Sequence, residues 1–165
     1  MTGIIIAGGK STRMGKDKSL LNQNVSRIQT ELVKIGCESV YIMCGSKERI
    51  ALFDGNCVPD SKSNLAQSLL DLIKDIEGEI QLVPCDAYLV DAEFLQNING
   101  VPVDDNGERQ PLLARITDKA LLVNSDKITE VFENLQSCGG GLKARNFNTP
   151  EEFMEIESLL KQLGL

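Results

Sequence analysis

Gly3-Ile4-Ile5-Ile6-Ala7-Gly8-Gly9-Lys10-Ser11-Thr12-Arg13-Met14-Gly15-Lys16-Asp17-Lys18 strings together an apolar strand, a glycine turn and a cationic loop. Three β-branched residues, Ile4 to Ile6, read as a short buried strand, and Gly8-Gly9 lets the backbone turn sharply at its end. Four cations (Lys10, Arg13, Lys16, Lys18) follow within nine positions. Side-chain-free N–H groups can cradle phosphate oxygens while Arg and Lys neutralise the charge. The bland alternative is a strand followed by a solvated basic loop. Against it, an acidic chain places four of its 17 Lys and Arg in this one segment.

Spacing excludes two familiar phosphate loops. A P-loop ending at Gly9-Lys10-Ser11 needs its first glycine at position 4, where Ile4 stands, and its loop residues would be those of the strand. A dinucleotide fingerprint needs G-x-G-x-x-G, and Gly8 and Gly9 are adjacent.

The whole chain sets outer bounds. Its 165 residues, 42% of them apolar, suit one domain around a single core. A formal charge of −7 argues against a nucleic-acid surface. The N-terminal apolar run is too short to cross a membrane, and Met1-Thr2-Gly3 has no basic signal-peptide region, so a cytoplasmic protein is expected. Five scattered cysteines without a C-x-x-C pair read as small buried hydrophobes in a reducing compartment. There is no histidine, which leaves zinc and His-based catalysis aside and points any metal to oxygen ligands, Mg²⁺ or Mn²⁺.

Strand and helix patterns alternate. After the strand Ile4 to Ala7, apolar spacing predicts a helix over Val25 to Ile35, a strand over Ser39 to Cys44, and a short helix over Lys47 to Phe53. A brief strand at Cys57 to Asp60, a helix over Leu65 to Ile76, a strand over Ile80 to Pro84 and a helix capped by Asp91 complete the first half. This order predicts an α/β fold with a mostly parallel sheet. The second half predicts strands at Val101 to Asp104 and Pro111 to Ile116 around an Asn106-Gly107 hairpin turn. It continues with a helix over Ser125 to Leu135, a glycine hinge or tight loop at Gly139 to Gly141, and a last strand over Leu142 to Phe147. A final helix is capped by Thr149 with Pro150 in its first turn.

Ligands of such sheets lie beyond the carboxyl ends of the strands. Asp17 with Lys18, Asp60 and Asp86 fall there. Asp86, directly after a strand, is the candidate Mg²⁺ ligand, with a turn-capping role as the alternative. Asp60 has a turn role as its alternative.

The opening segment resembles the signature [LI]-A-G-G-x-S-x-R-M-G-x-D-K of nucleotidyltransferases, most of all the MobA-type molybdenum cofactor guanylyltransferases. Ala7-Gly8-Gly9, Ser11, Arg13-Met14-Gly15 and Asp17-Lys18 carry the match. The resemblance implies a Rossmann-like three-layer sandwich of the nucleotide-diphospho-sugar transferase type. It implies a single domain, 1–165, with a nucleotide-binding half over about 1–90 and an acceptor-binding half over about 91–165. It further implies GMP transfer from GTP to molybdopterin, Mg²⁺ (or Mn²⁺) as cofactor, and proteins that handle the molybdenum cofactor as partners, with neither nucleic acid nor membrane involved. Ala7, Gly8 and Gly9 would seat the nucleotide, Arg13 would bind the leaving pyrophosphate and Lys18 would stabilise the α-phosphate. Asp60 would line the guanine pocket, and Asp86 would hold the metal. Asn146, Phe147, Asn148 and Thr149-Pro150-Glu151 resemble the family's Asn-x-Asn-Thr-Pro-Glu signature, which assigns Asn146 and Asn148 to the acceptor side. Gly107 to Pro111 resembles its acceptor-side hairpin, where Arg109 would meet an anionic substrate or simply be solvated.

The sequence departs from that family in three places. Ser63-Asn64-Leu65-Ala66-Gln67 stands where Gly-Pro-Leu-Ala-Gly is usual, Ala87-Tyr88 follows the Cys-Asp pair, and Asn22-Gln23-Asn24 replaces a hairpin. Two alternatives therefore stay open: a cytidylyl- or sugar-phosphate nucleotidyltransferase, and a non-catalytic nucleotide binder.

Overall fold

The computed structural model describes residues 1–8, 18–145, 150–162 and 164. Its main sheet has five strands in the order β3-β2-β1-β4-β6: β1 Thr2–Ile6, β2 Ser39–Gly45, β3 Asn56–Pro59, β4 Ile80–Pro84 and β6 Arg115–Ile116. The first four are parallel and β6 runs antiparallel to β4. Alternation along the buried strands sorts the core onto two faces. Ile5, Ile42, Cys44 and Val83 pack with Val25, Ile28 and Leu32 of α1 (Lys18–Lys34) and Leu95 of α3 (Ala92–Gln96). Ile4, Ile6, Met43 and Leu82 pack with Leu69 and Ile73 of α2 (Leu65–Ile73) and Val131 of α4 (Ile128–Val131). Helices on both faces make the expected three-layer sandwich. Ile4, Ile5, Leu82 and Val83 have no exposed surface, so truncating Ile5 or Leu82 to Ala is expected to cost about 2–5 kcal/mol.

The first half follows the sequence pattern, with α1 beginning earlier than its apolar spacing and α2 ending at Ile73, three residues before Ile76. Asp91 caps α3 as expected, accepting from the Phe94 amide at 2.9 Å. Three of the five cysteines are buried and two half-buried, all of them free thiols. Among the described residues no helix is long and apolar enough to cross a membrane.

The second half corrects four expectations. The Asn106-Gly107 turn forms, but its return strand is a single bridge between Val103 and Arg109. Pro111 starts a 3₁₀ turn, Pro111–Leu113, and the chain then joins the main sheet as β6 rather than pairing with β5 (Val101–Asp104). The Ser125–Leu135 helix shrinks to α4, because Ser125 spends its hydroxyl on the Lys127 amide and Glu130 ahead of an extended Lys127. Gly139 to Gly141 is no hinge: it belongs to β7 (Ser137–Gly141), parallel to β5 in a separate two-stranded sheet. A Cβ on Gly140 would lie 2.7 Å from the Ala144 Cβ and 2.9 Å from the Pro102 Cβ, so glycine is there for close packing. Leu142–Ala144 forms a 3₁₀ turn in place of the last strand. Helix α5 (Pro150–Gln162) begins at the expected proline, while its expected cap, Thr149, lies outside the described residues.

Candidate active site

The carboxyl ends of β1 to β4 form one edge, and hydrogen bonds stitch its tips together. The Ala7 amide donates to the Met43 carbonyl at 2.8 Å, Cys85 to Ile6 at 3.0 Å, and Asp60 to Gly45 at 2.7 Å. Gly8 touches the next strand so closely that a Cβ would lie 2.9 Å from both the Cα and the amide nitrogen of Gly45. A side chain there would force two backbones apart, which explains a glycine at this point of the turn.

Arg49 is a further residue of this edge. It stands on the 3₁₀ turn Lys47–Leu52 after β2. Its Nε donates to the Cys44 carbonyl at 2.8 Å and its Nη2 to the Ala7 carbonyl at 2.7 Å, and its guanidinium lies over the Phe53 ring, 5.9 Å from the centroid. It thus ties the tips of β1 and β2 beneath the glycine turn. No motif marks it in the sequence, although an arginine one turn beyond the strand-end Gly45 is a usable signal.

Asp60 follows β3 directly. Among the described residues its Oδ1 is buried without a hydrogen-bond partner. Desolvation pushes the carboxyl above the ordinary aspartate range, against the lowering effect of a backbone hydrogen bond involving Gly45. Asp86 is half-buried after β4. Beside it, burial and the Asp86 charge push the Cys85 thiol up to about 12, so that thiol stays protonated and inert at neutral pH. Three strand spacings separate the tips of β3 and β4, about 14 Å across the edge, so the two carboxylates stand at opposite ends of it.

The remaining sequence-derived site residues divide. Ala7 and Gly8 lie on the edge as expected. Lys18 opens α1, and its side chain lies outside what is described. Gly9, Arg13, Asn146 and Asn148 also lie outside the described residues. Arg145, just before the asparagine segment, pairs with Asp105 at 2.6 Å and with Glu155 of α5 at 2.7 Å. Arg109, expected to meet an anionic acceptor or to be solvated, bonds within the chain. Its guanidinium donates to the carbonyls of Phe132 at 2.8 Å and Leu135 at 3.2 Å, and to the Ser137 hydroxyl, so it is committed to the fold.

Comparison with known proteins follows this geometry. Residues 3–125 match the family model of the MobA-like NTP transferase domain. No curated protein sequence matches the chain. Among solved structures, a Methanothermobacter nucleotidyl transferase superposes with a TM-score of 0.66 at 13% identity, covering 98% of each chain. The bifunctional IspDF of Campylobacter jejuni gives 0.64 at 12% identity over 94% of this chain and 53% of its own. The 4-diphosphocytidyl-2C-methyl-D-erythritol synthase of Anaerococcus prevotii gives 0.57 at 13% identity over 97% and 95%. Likeness at these identities speaks for the fold alone.

Proposed function

The chain belongs to the MobA-like NTP transferase domain family, and from that premise we propose that it transfers GMP from GTP to molybdopterin or its molybdenum form, releasing pyrophosphate. The observation that carries the guanine reading is the buried Oδ1 of Asp60, which has no partner among the described residues. A guanine ring brings an exocyclic amino donor beside its ring N–H, a pair that suits a carboxylate needing donors. With the base at the β3 tip, the phosphates cross the glycine turn after β1 and reach Asp86 after β4.

The donor chemistry at that end fits a hard divalent ion. Among the described residues no three acidic, cysteine or histidine side chains gather at one point. Asp86 would therefore hold Mg²⁺ or Mn²⁺ with phosphate oxygens and water completing the shell, as is usual for Mg²⁺. When bound, the ion supplies charge neutralisation across the phosphates. The chain's own groups do the rest. Backbone amides of Gly8 and Gly9 seat the nucleotide, Arg13 takes the leaving pyrophosphate and Lys18 meets the α-phosphate. Asn146 and Asn148 are the residues assigned to the acceptor. A phosphate nucleophile is already ionised, so no general base is required and the work is positioning and electrostatics. Molybdenum cofactor-handling proteins are the partners this reading supplies.

A second reading keeps the chemistry and changes the base. Asn64 caps α2 through the Gln67 amide at 2.8 Å, and the Gln67 side chain reaches Asn124 at 3.0 Å, so side chains fill a loop where the resembled enzymes carry glycines. Thermal shift with GTP, CTP, ATP and UTP, each with and without Mg²⁺, separates the readings. Ligand at 100 times its Kd stabilises by about 2.7 kcal/mol, roughly 5–11 °C for a domain of this size. A Mg²⁺-dependent shift with GTP alone is expected, followed by pyrophosphate release once acceptor is added. A shift with CTP or UTP instead would move the protein to another branch, and no shift at all would reduce it to a relic of the fold.

A further inference from the structure

We infer that Asn24 and Arg27 of α1 are positioning residues for the Asp86 carboxylate, clamping the backbone on both sides of it and so setting where a divalent cation is held. The inference rests on the proposed role of Asp86 as metal ligand.

The loop after β4 turns on its own amides: Cys85 donates to Ile6 at 3.0 Å, Ala87 to Pro84 at 3.1 Å and Tyr88 to the Asp86 carbonyl at 3.0 Å. Four of its other carbonyls answer to one helix. Asn24 Nδ2 donates to the Cys85 carbonyl at 2.6 Å. Arg27 Nη2 donates to the carbonyls of Ala87 at 2.9 Å and Tyr88 at 3.1 Å, and Nη1 to that of Val90. Arg27 Nε locks the pair together through Asn24 Oδ1 at 3.0 Å. Asp86 is bracketed: α1 holds the Cys85 carbonyl before it and the Ala87 and Tyr88 carbonyls beyond it.

Mere packing of a helix on a loop does not call for this. The neighbouring helix positions Val25, Ile28 and Leu32 are fully buried apolar residues, and Arg27 is held there although burial lowers its pKa, opposed by the charges of Glu31 and Asp91. Four carbonyls that would otherwise be desolvated receive strong, partly charge-assisted donors, which fixes the loop in one geometry. The same helix begins with Lys18. Asn24 lies six residues further on, about 9 Å along the axis. The clamp therefore joins the end that meets the α-phosphate and the loop that holds the metal into one frame.

The test is calorimetric titration of the full chain with GTP, in metal-free buffer and with Mn²⁺. The ratio of the two dissociation constants is the metal-dependent gain. In the unaltered protein a gain is expected, and Asp86→Asn removes it. Arg27→Met should keep the metal-free dissociation constant within about twofold and cut the gain about 10–100-fold, the usual effect of losing a group that orients a metal ligand. Arg27→Lys, which preserves stem and charge, should fall between. Arg115→Met is the comparator: that guanidinium donates to Gln81 Oε1 and the Leu95 carbonyl, both at 2.7 Å, on another part of the sheet. It should lower Tm and leave the gain untouched. Both Arg27 variants keeping the full gain would overturn the inference, as would an equal loss of metal-free and metal-loaded affinity. The unaltered protein without any gain, or Asp86→Asn with an undiminished one, would overturn the metal role itself and the clamp with it, an outcome visible before Arg27 is altered.

Discussion

Asp60 and Asp104 both stand at strand ends, one after β3 in the main sheet and one closing β5 in the small sheet, and they have opposite surroundings. Asp104 is buried, with every oxygen engaged: Oδ1 accepts from the amides of Asn106 at 2.8 Å and Glu108 at 3.0 Å, and Oδ2 from Gln110 Nε2 at 2.7 Å. Asp60 carries a buried Oδ1 with no donor among the described residues. A satisfied carboxylate explains a turn completely. An unsatisfied one costs free energy in the free protein, and such a cost persists at sites that a ligand completes. Arg109 extends the contrast, for the small sheet commits its cation to its own carbonyls as well. The polar groups of Asp104 and Arg109 are thus spent on the small sheet and its surroundings, whereas the Asp60 Oδ1 at the end of β3 has no donor among the described residues.

The sharpest way to break this division is Asp86→Asn. As a carboxylate on the β1–β4 edge, Asp86 should affect turnover far more than folding. Mg²⁺-dependent kcat is expected to fall on the order of 10²–10³-fold with little change in Tm. Unaltered metal dependence would remove Asp86 from the site. Asp104→Ala is the mirror experiment. Leaving the donors of Asn106, Glu108 and Gln110 without an acceptor should cost about 2–4 kcal/mol, roughly 4–16 °C in Tm. Turnover per folded molecule should hold, and a changed KM for GTP would erase the distinction.

That division also explains what the sequence made legible. In a parallel sheet both faces of each strand are buried, so Ile4 to Ile6, Ile42 to Cys44 and Leu82 to Pro84 carry their structure as short apolar runs. Strand ends then place Asp60 and Asp86 without further information. The second half depends on contacts that no local pattern encodes. Gly139 to Gly141 look like a hinge because the reason for them, close approach of Pro102 and Ala144, lies some 40 residues away in one case and on the next turn in the other. Pro111 breaks the return strand of the hairpin, and the chain's next partner is Gln81 in β4 rather than β5. Arg27 shows the same blindness on the functional side. An arginine in an amphipathic helix looks like a solvated face, and only the fold brings the Ala87 and Val90 carbonyls to it.

Asp60→Asn should act more gently than either of the first two substitutions. The amide keeps the size of the carboxylate and ends the burial of a charge, so the free protein is expected to be as stable as before or slightly more so. GTP affinity should fall about tenfold, near 1.4 kcal/mol, since an amide offers one acceptor to two donors of the base. Calorimetry and melting on the same sample decide the matter: a variant that melts well below the parent protein would make Asp60 another Asp104.

The smallest effect is a difference in sign with pH. The Asp60 carboxyl is raised by desolvation, so as pH climbs between its unfolded and folded values the folded state holds the extra proton. Its contribution to stability is full below that window, falls across it, and remains a fixed cost above it. Asp105, in the second half, is held below the usual range by its hydrogen bonds to Arg145. Its contribution is present above its unfolded value and is lost as pH falls through the folded one. Subtracting the acid-range melting profile of Asp60→Asn from that of the parent protein should leave a curve that declines with pH, while the same subtraction for Asp105→Asn should leave one that rises. The GTP affinity lost in Asp60→Asn should grow with pH over the window in which stability declines, because ionisation strains the empty site and supplies the acceptor that guanine needs. If the two subtracted curves share a sign, the unpaired oxygen of Asp60 is not what separates the edge of the main sheet from the rest of the molecule.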